Sequence, residues 1–378
     1  MSLLKSRFIE MFKNSETLRL DQIAEVTMGQ SPDSSSYNSV GKGIPFYQGK
    51  TEFTDKYIGQ PSTWCTSPTR IAKENDILMS VRAPVGNVNI ATEECCIGRG
   101  LSSIRPQNGF NSEFIFEALE QKKEELENKA TGSTFKAINK DIVLSIQIPN
   151  TSISIQKEYS NFVKQIDKSK FLLQQILKKL ELLKKSRFIE LFGSTDLSLQ
   201  KDDWVEIKNI GEVVSGSTPK TTNESYWGGE NKWITPAELS SNTYVITKTD
   251  RYLTDEGVKS CSLRKLPKDT VLLTSRAPIG KVAIAGTEMY CNQGFKNIIC
   301  NEKIRPKYLF YLLKNNVRYL EYLGRGATFK EISKSIVENV KIPLFPLQDQ
   351  DRFIEFAEQI DKSKLIIQKA LEDLVGKV

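Results

Sequence analysis

Apolar residues along this chain fall into two kinds of pattern. Short compact runs, ILMSV (77–81) and VLLTS (271–275), each lead into Arg-Ala-Pro and then into the alternating strings NVNIA (87–91) and KVAIA (281–285). A compact run, a proline turn and a period of two predict a strand, a turn and a second strand. Helical spacing follows over FNSEFIFEALEQKKEELEN (110–128) and IRPKYLFYLLKNNVRYLEYL (304–323). Next come the loops GSTFK (132–136) and GATFK (326–330), and then a short strand ending at Ile-Pro. The last pattern is a heptad seam. Phe162, Ile166, Leu173, Ile176, Leu180 and Leu183 are spaced four and three apart with Ser169 in the missing place, and Phe356, Ile360, Ser363, Ile367, Ala370 and Leu374 repeat it. Such a stripe predicts two long helices that pair with each other, and antiparallel pairing is the natural choice; packing of each helix on its own domain is the alternative.

Everything in that description occurs twice. VRAPVGNVNIA (81–91) matches SRAPIGKVAIA (275–285), GSTFKAINKDIVLSIQIP (132–149) matches GATFKEISKSIVENVKIP (326–343), and QIDKSK stands at 165–170 and 359–364, all at an offset of 194 (276 − 82). Farther upstream GQSP (29–32) and GSTP (216–219) are 187 apart, and SRFIEMF (6–12) and SRFIELF (186–192) are 180 apart. The chain is therefore two copies of one unit. The expected fold is α+β: two mixed α/β domains in a pseudo-twofold arrangement, separated by two long antiparallel coiled-coil helices. The boundaries are a stub over 1–12, a first domain over 13–150, a central helix over 151–192, a second domain over 193–345 and a C-terminal helix over 346–378. The second helix stops short of an SRFIELF ending, and the stub supplies one. It is expected to pack as that missing piece, with Phe8, Ile9 and Phe12 buried.

Composition narrows the chemistry. The 378 residues contain no histidine, which removes the commonest general base and the commonest metal ligand. The net charge of +7 is compatible with a polyanionic partner. The six cysteines form no C-x-x-C pair and read as reduced thiols of a cytosolic protein. There is no apolar run of membrane-spanning length, and the first residues mix charges with apolar side chains, unlike a signal peptide. GIPFYQGKT (43–51) has one residue too many between its glycines for a phosphate-binding P-loop, and no methyltransferase-like N-P-P-[YFW] string is present. No catalytic residue and no metal site are expected.

What remains suits binding. Both units keep an arginine at the strand turn, Arg82 and Arg276, which either contacts a phosphate or braces the turn. Both keep a Gly-[Ser/Ala]-Thr-Phe-Lys loop. Ser133, Thr134 and Lys136, with Thr328 and Lys330, suit a phosphate clamp, or else the glycine turns the chain and the threonine caps a helix. IGRGL (97–101) stands against CNQGF (291–295), so Arg99 faces Gln293 across the repeat, with Lys296 close by. Arginine reads guanine edges and glutamine reads adenine edges in a major groove.

The series G-x-[ST]-P, SVRAPVG, NQGF, GSTFKxIxKxxI, IPLFPLQDQ and a long helix resembles the specificity subunit of type I restriction–modification systems, over nearly the whole chain. The resemblance implies two target-recognition domains reading the halves of a bipartite, asymmetric site in double-stranded DNA, with no catalysis or cofactor of the chain's own. It implies docking of two DNA adenine methyltransferase subunits, which bind S-adenosylmethionine. Restriction subunits using ATP and Mg join in some assemblies. The seam residues are then the coiled-coil and docking set, and the location is cytoplasmic. The first unit departs from the usual Pro-Pro-Leu-x-x-Gln leading into its helix, with IPNTSISIQ at 148–156, although Gln156 and Gln350 remain. Two other readings stand beside this one: a coiled-coil adaptor whose domains bind proteins, and a stand-alone enzyme acting on DNA.

Overall fold

The computed structural model describes residues 3–132, 136–240, 243–324 and 331–375. It divides into two compact units, 1–175 with 367–378, and 176–366. The central helix, Ile153–Phe192, runs from one into the other, and the second long helix is Leu347–Val375.

In the first unit the expected strand–turn–strand is present. Ile77–Ser80 and Val88–Ile90 pair antiparallel around a turn that contains the cis peptide Ala83–Pro84. They belong to a four-stranded antiparallel sheet in the order Ala24–Met28, Leu101–Pro106, Ile77–Ser80, Val88–Ile90. An outer five-stranded sheet places Ile44–Tyr47 parallel to Cys95–Ile97. Thr17–Arg19 pairs with Gln147–Pro149 and closes the domain at the foot of the central helix.

The second unit repeats this plan. Val271–Leu273 and Val282–Ala285 sit beside Lys296–Cys300 and Gly211–Ser215, and Val245–Ile246 adds a parallel fifth strand. Its outer sheet has three strands, Arg251–Leu253, Trp227–Ile234 and Tyr290–Cys291. Val205–Glu206 pairs with Lys341–Ile342.

Each of the two helices expected at 110–128 and 304–323 is broken in the middle. The first is Ser112–Glu120 followed by Lys123–Lys129, and the second is Pro306–Asn315 followed by Val317–Leu323. The second break has a visible cause. The buried Asn316 amide donates to Leu312 O and Thr195 O and accepts from Leu197 N–H, so a local helix carbonyl is diverted to a side chain.

The stub helix, Leu3–Phe12, docks on the first unit as the end of the central helix docks on the second. Phe8 and Phe12 enter the core against Phe114 and Tyr159, while Phe188 and Phe192 pack on Tyr308 and Phe353. Ile9 was expected inside and lies outside, 43% exposed, as does Ile189 at 62%. Residues four apart share one helix face, and the next residue is turned about 100° away from it.

The heptad seam is covered only in part. Of its residues Ile166 and Ile360 are buried, Phe162, Leu173, Leu180, Phe356, Ile367 and Leu374 are half-buried, and Ile176 and Leu183 are exposed; Tyr159, Val163, Phe353 and Ala357, outside the seam, are buried. Within the second unit the two helices do run antiparallel side by side. Lys184 meets Asp361 at 2.6 Å and Lys364 meets Glu181, so the numbering falls on one helix as it rises on the other. The buried residue there is Lys184, one place along from the expected Leu183, because its ammonium also lies over the Tyr311 ring and Asp361 neutralises it.

Gln156 and Gln350 are fully buried braces. Gln350 accepts from Arg305 N–H and donates to Phe345 O; Gln156 accepts from Asn111 N–H and donates to Thr151 O. Each ties the start of a long helix to the start of its domain's covering helix. Among the described residues no helix is long and apolar enough to cross a membrane.

Candidate nucleic-acid interface

Two loops that are far apart in sequence meet in each unit. In the first, Gly29 N–H donates to Leu101 O and Gln30 N–H to Ile97 O, and the Ser31 hydroxyl accepts from Arg99 N–H. In the second, Ser217 N–H donates to Cys291 O, and the Thr218 hydroxyl donates to the Gln293 side chain. The glycines make this contact possible. A Cβ on Gly29 would stand 2.1 Å from Gly98 O, and one on Gly216 would stand 2.1 Å from Asn292 O. The G-x-[ST]-P string is thus the seat for the turn carrying Arg99 or Gln293, and both of those side chains are exposed.

An aromatic pair from the outer sheet holds the same loop from the other side. Tyr37 stacks on Phe46 at 4.7 Å and its hydroxyl donates to Pro32 O. Trp227 meets Trp233 edge-on at 5.0 Å. Their indole N–H groups donate to Lys220 O and Ser217 O. These aromatics were not singled out from the sequence. The available signal was that Phe46 and Trp233 stand equally far beyond Pro32 and Pro219.

The strand-turn arginines differ between the copies. Arg276 donates to Glu331 at 3.0 Å, and the same carboxylate takes Lys296 at 3.2 Å. Lys296 is buried and faces inward, its ammonium also 3.4 Å from the Ser275 hydroxyl, so it is not the open cation expected. Burial pushes the Glu331 carboxyl up, but hydrogen bonds from Lys296 and Arg276 outweigh that and hold it below the usual carboxylate range. In the first unit Ser102 and Ala137 occupy the places of Lys296 and Glu331. Arg82 is exposed there and forms no ion pair among the described residues. It stands beside exposed Lys136, whose carbonyl accepts from Ala83 N–H. Arg82 and Lys136 are thereby brought together at one end of the turn. Ser133, Thr134, Thr328 and Lys330 lie outside the described residues.

The cysteines are free thiols, four of them buried. Burial pushes Cys95, Cys291 and Cys300 up to about 12, so these side chains are packing groups rather than nucleophiles.

A family model for the type I restriction modification DNA specificity domain matches residues 13–182 and 201–375. The chain belongs to that family. Among specificity-domain relatives, it is 42% identical over 201 residues to the type I restriction enzyme MjaIX specificity subunit of Methanocaldococcus jannaschii, covering 50% of this chain and 46% of the relative. It is 41% identical over 169 residues to the putative MjaX specificity subunit of the same organism, covering 44% and 40%. The chain thus spans under half the length of these curated relatives in the matched regions. A crystal structure of the type I restriction-modification system S subunit from M. genitalium shares the specificity-subunit fold at a TM-score of 0.51. The match covers 96% of this chain and 93% of that one at 16% identity.

Proposed function

We propose that this chain is the DNA-recognition subunit of a type I restriction–modification assembly, reading a bipartite, asymmetric duplex site with one half-site per domain. The observation that carries this reading is the shared scaffold with unshared tips. In both units a G-x-[ST]-P loop is seated on a glycine turn and clamped by an aromatic pair, yet the exposed side chain it presents is Arg99 in one and Gln293 in the other. A common frame suits positioning on the duplex, and a variable tip suits reading different bases, guanine by Arg99 and adenine by Gln293. Arg82 and Lys136, neither in an ion pair among the described residues, provide positive charge for phosphates in the first domain.

The same reading gives the chain no catalytic residue and no cofactor. It scaffolds two DNA adenine methyltransferase subunits, which bring S-adenosylmethionine, and in some assemblies restriction subunits using ATP and Mg. Exposed apolar doublets support a protein partner on the helices. Phe171 and Leu172 are 59% and 49% exposed, and their repeat counterparts Leu365 and Ile366 are 68% and 71% exposed. Four such side chains in water at matching places on long helices are a docking signature.

The test is an exchange of residues 13–150 for another domain of the family, followed by sequencing of methylated sites in cells carrying the assembly. One half of the methylated sequence should change and the other should persist. A change in both halves would overturn the one-domain, one-half-site reading. A gel shift with random duplex across a salt series separates DNA binding from the adaptor reading, because phosphate contacts weaken steeply as salt rises.

A further inference from the structure

The second domain carries a stacked cation with no counterpart among the described residues of the first. Arg251 starts the edge strand Arg251–Leu253 and stands directly opposite Trp233 in the register. Its guanidinium carbon lies 3.6 Å from the centroid of the Trp227 ring and 5.3 Å from that of Trp233. A bulge between Trp227 and Asn231, in which both residues face Leu253, turns Trp227 beneath it. Gly228 makes that bulge possible at φ +82°, and a Cβ on Gly229 would stand 2.3 Å from Leu253 O. Arg251 is exposed and forms no ion pair among the described residues. The hydrogen bonds Trp227 to Lys220, Trp233 to Ser217 and Thr218 to Gln293 link the aromatic pair beneath it to the loop and turn that carry Gln293.

We propose that Arg251 is a specificity-determining residue that takes the edge of a guanine; this rests on the DNA reading above. Two observations point to base reading. First, stacking on an indole fixes the plane of the guanidinium and leaves its N–H rim free. Guanine O6 and N7 need two coplanar donors, which a guanidinium held in one plane supplies and a lysine ammonium does not. Second, the place of Arg251 in the first domain is taken by Thr63, whose carbonyl accepts from Phe46 N–H. The aromatic pair is kept there as Tyr37 and Phe46, and among the described residues no cation is stacked on it. The backbone is the same in both half-sites while the bases differ, so a stacked arginine present in one copy suits a base.

The experiment is selection from duplexes with a randomised central segment, using the purified full chain, Arg251→Ala and Arg251→Lys, each checked for an unchanged melting temperature. Wild type should enrich a two-part motif. Arg251→Ala should lose preference for one guanine in one half, by roughly 5- to 140-fold, and keep every other position. Arg251→Lys should lose the same guanine while keeping the wild-type salt dependence. The inference is overturned if Arg251→Lys keeps the guanine, if Arg251→Ala weakens all sequences equally, or if neither variant changes the motif. Binding by wild type with no motif enriched would instead overturn the DNA-recognition reading itself, and this inference with it.

Discussion

Replacing Phe8 by alanine tests whether the stub helix is a structural part of the first unit. The Phe8 ring lies 4.9 Å from Phe12, 5.4 Å from Tyr159 and 6.3 Å from Phe114, and the residue is 8% exposed. Truncating a buried phenylalanine costs about 3–5 kcal/mol when the surroundings cannot collapse into the space. Here a ceiling applies. A ten-residue helix is too short to be stable alone, so once its docking energy is exhausted it detaches and further truncation has no effect. Phe8→Ala is therefore expected to lose about 3 kcal/mol, and Phe8→Ala with Phe12→Ala little more than either single change. Ile9→Ala, on the exposed face, is expected to stay within about 0.5 kcal/mol. Denaturant unfolding of the full chain gives the energies, and amide exchange over residues 7–12 reports detachment. If Ile9→Ala costs as much as Phe8→Ala, or if Phe8→Ala costs under about 1 kcal/mol, the docking described for the stub is wrong.

Glu331→Ala leaves the buried Lys296 ammonium without its carboxylate and should cost about 3 kcal/mol. Lys296→Met in the same chain should restore most of that, and a double variant as unstable as the single one in thermal unfolding would refute the pairing. Glu117 is buried on the first unit's covering helix, and burial pushes its carboxyl from the ordinary 4.5 up to about 7. The folded chain therefore holds a proton there that the unfolded chain releases, so stability falls as pH rises from about 4.5 to 7, by on the order of 3 kcal/mol. Glu117→Gln should flatten that part of the stability-versus-pH curve and raise stability at pH 8; an unchanged slope would show that Glu117 is not its source. If the proposed methyltransferase partner docks on the helices, Leu365→Glu with Ile366→Glu should abolish co-purification with it at an unchanged melting temperature, and retained co-purification would remove these side chains from the proposed docking surface.

The repeat, the strand–turn–strand and the long helices were legible because each is written in local patterns that recur in fixed order. The helix break at Asn316 was not, since it depends on Thr195 and Leu197, far upstream in the sequence. The heptad stripe announced that an apolar face exists, but not what lies against it. Leu183 and Lys184 accordingly exchanged roles once Asp361 and Tyr311 were in place. Lys296 looked like a free cation because Glu331 is 35 residues away. The aromatic clamp was hidden for a different reason: Trp227 reaches Arg251 only through a bulge, and a bulge breaks the period by which strands are read.

The triad of Lys296, Glu331 and Arg276 also limits which single-residue intermediates between the two copies are stable. One copy has lysine and glutamate at two sites where the other has Ser102 and Ala137, so two substitutions separate them there. A glutamate arriving first stands beside an exposed arginine and is tolerated. A lysine arriving first is a buried ammonium with no counter-ion, among the most damaging single changes a core can receive. Of the two single-substitution intermediates between these pairs, the one with glutamate alone is the stable one. Lys296→Ser alone should be mild and Glu331→Ala alone severe, so the cost of losing either residue depends on the other.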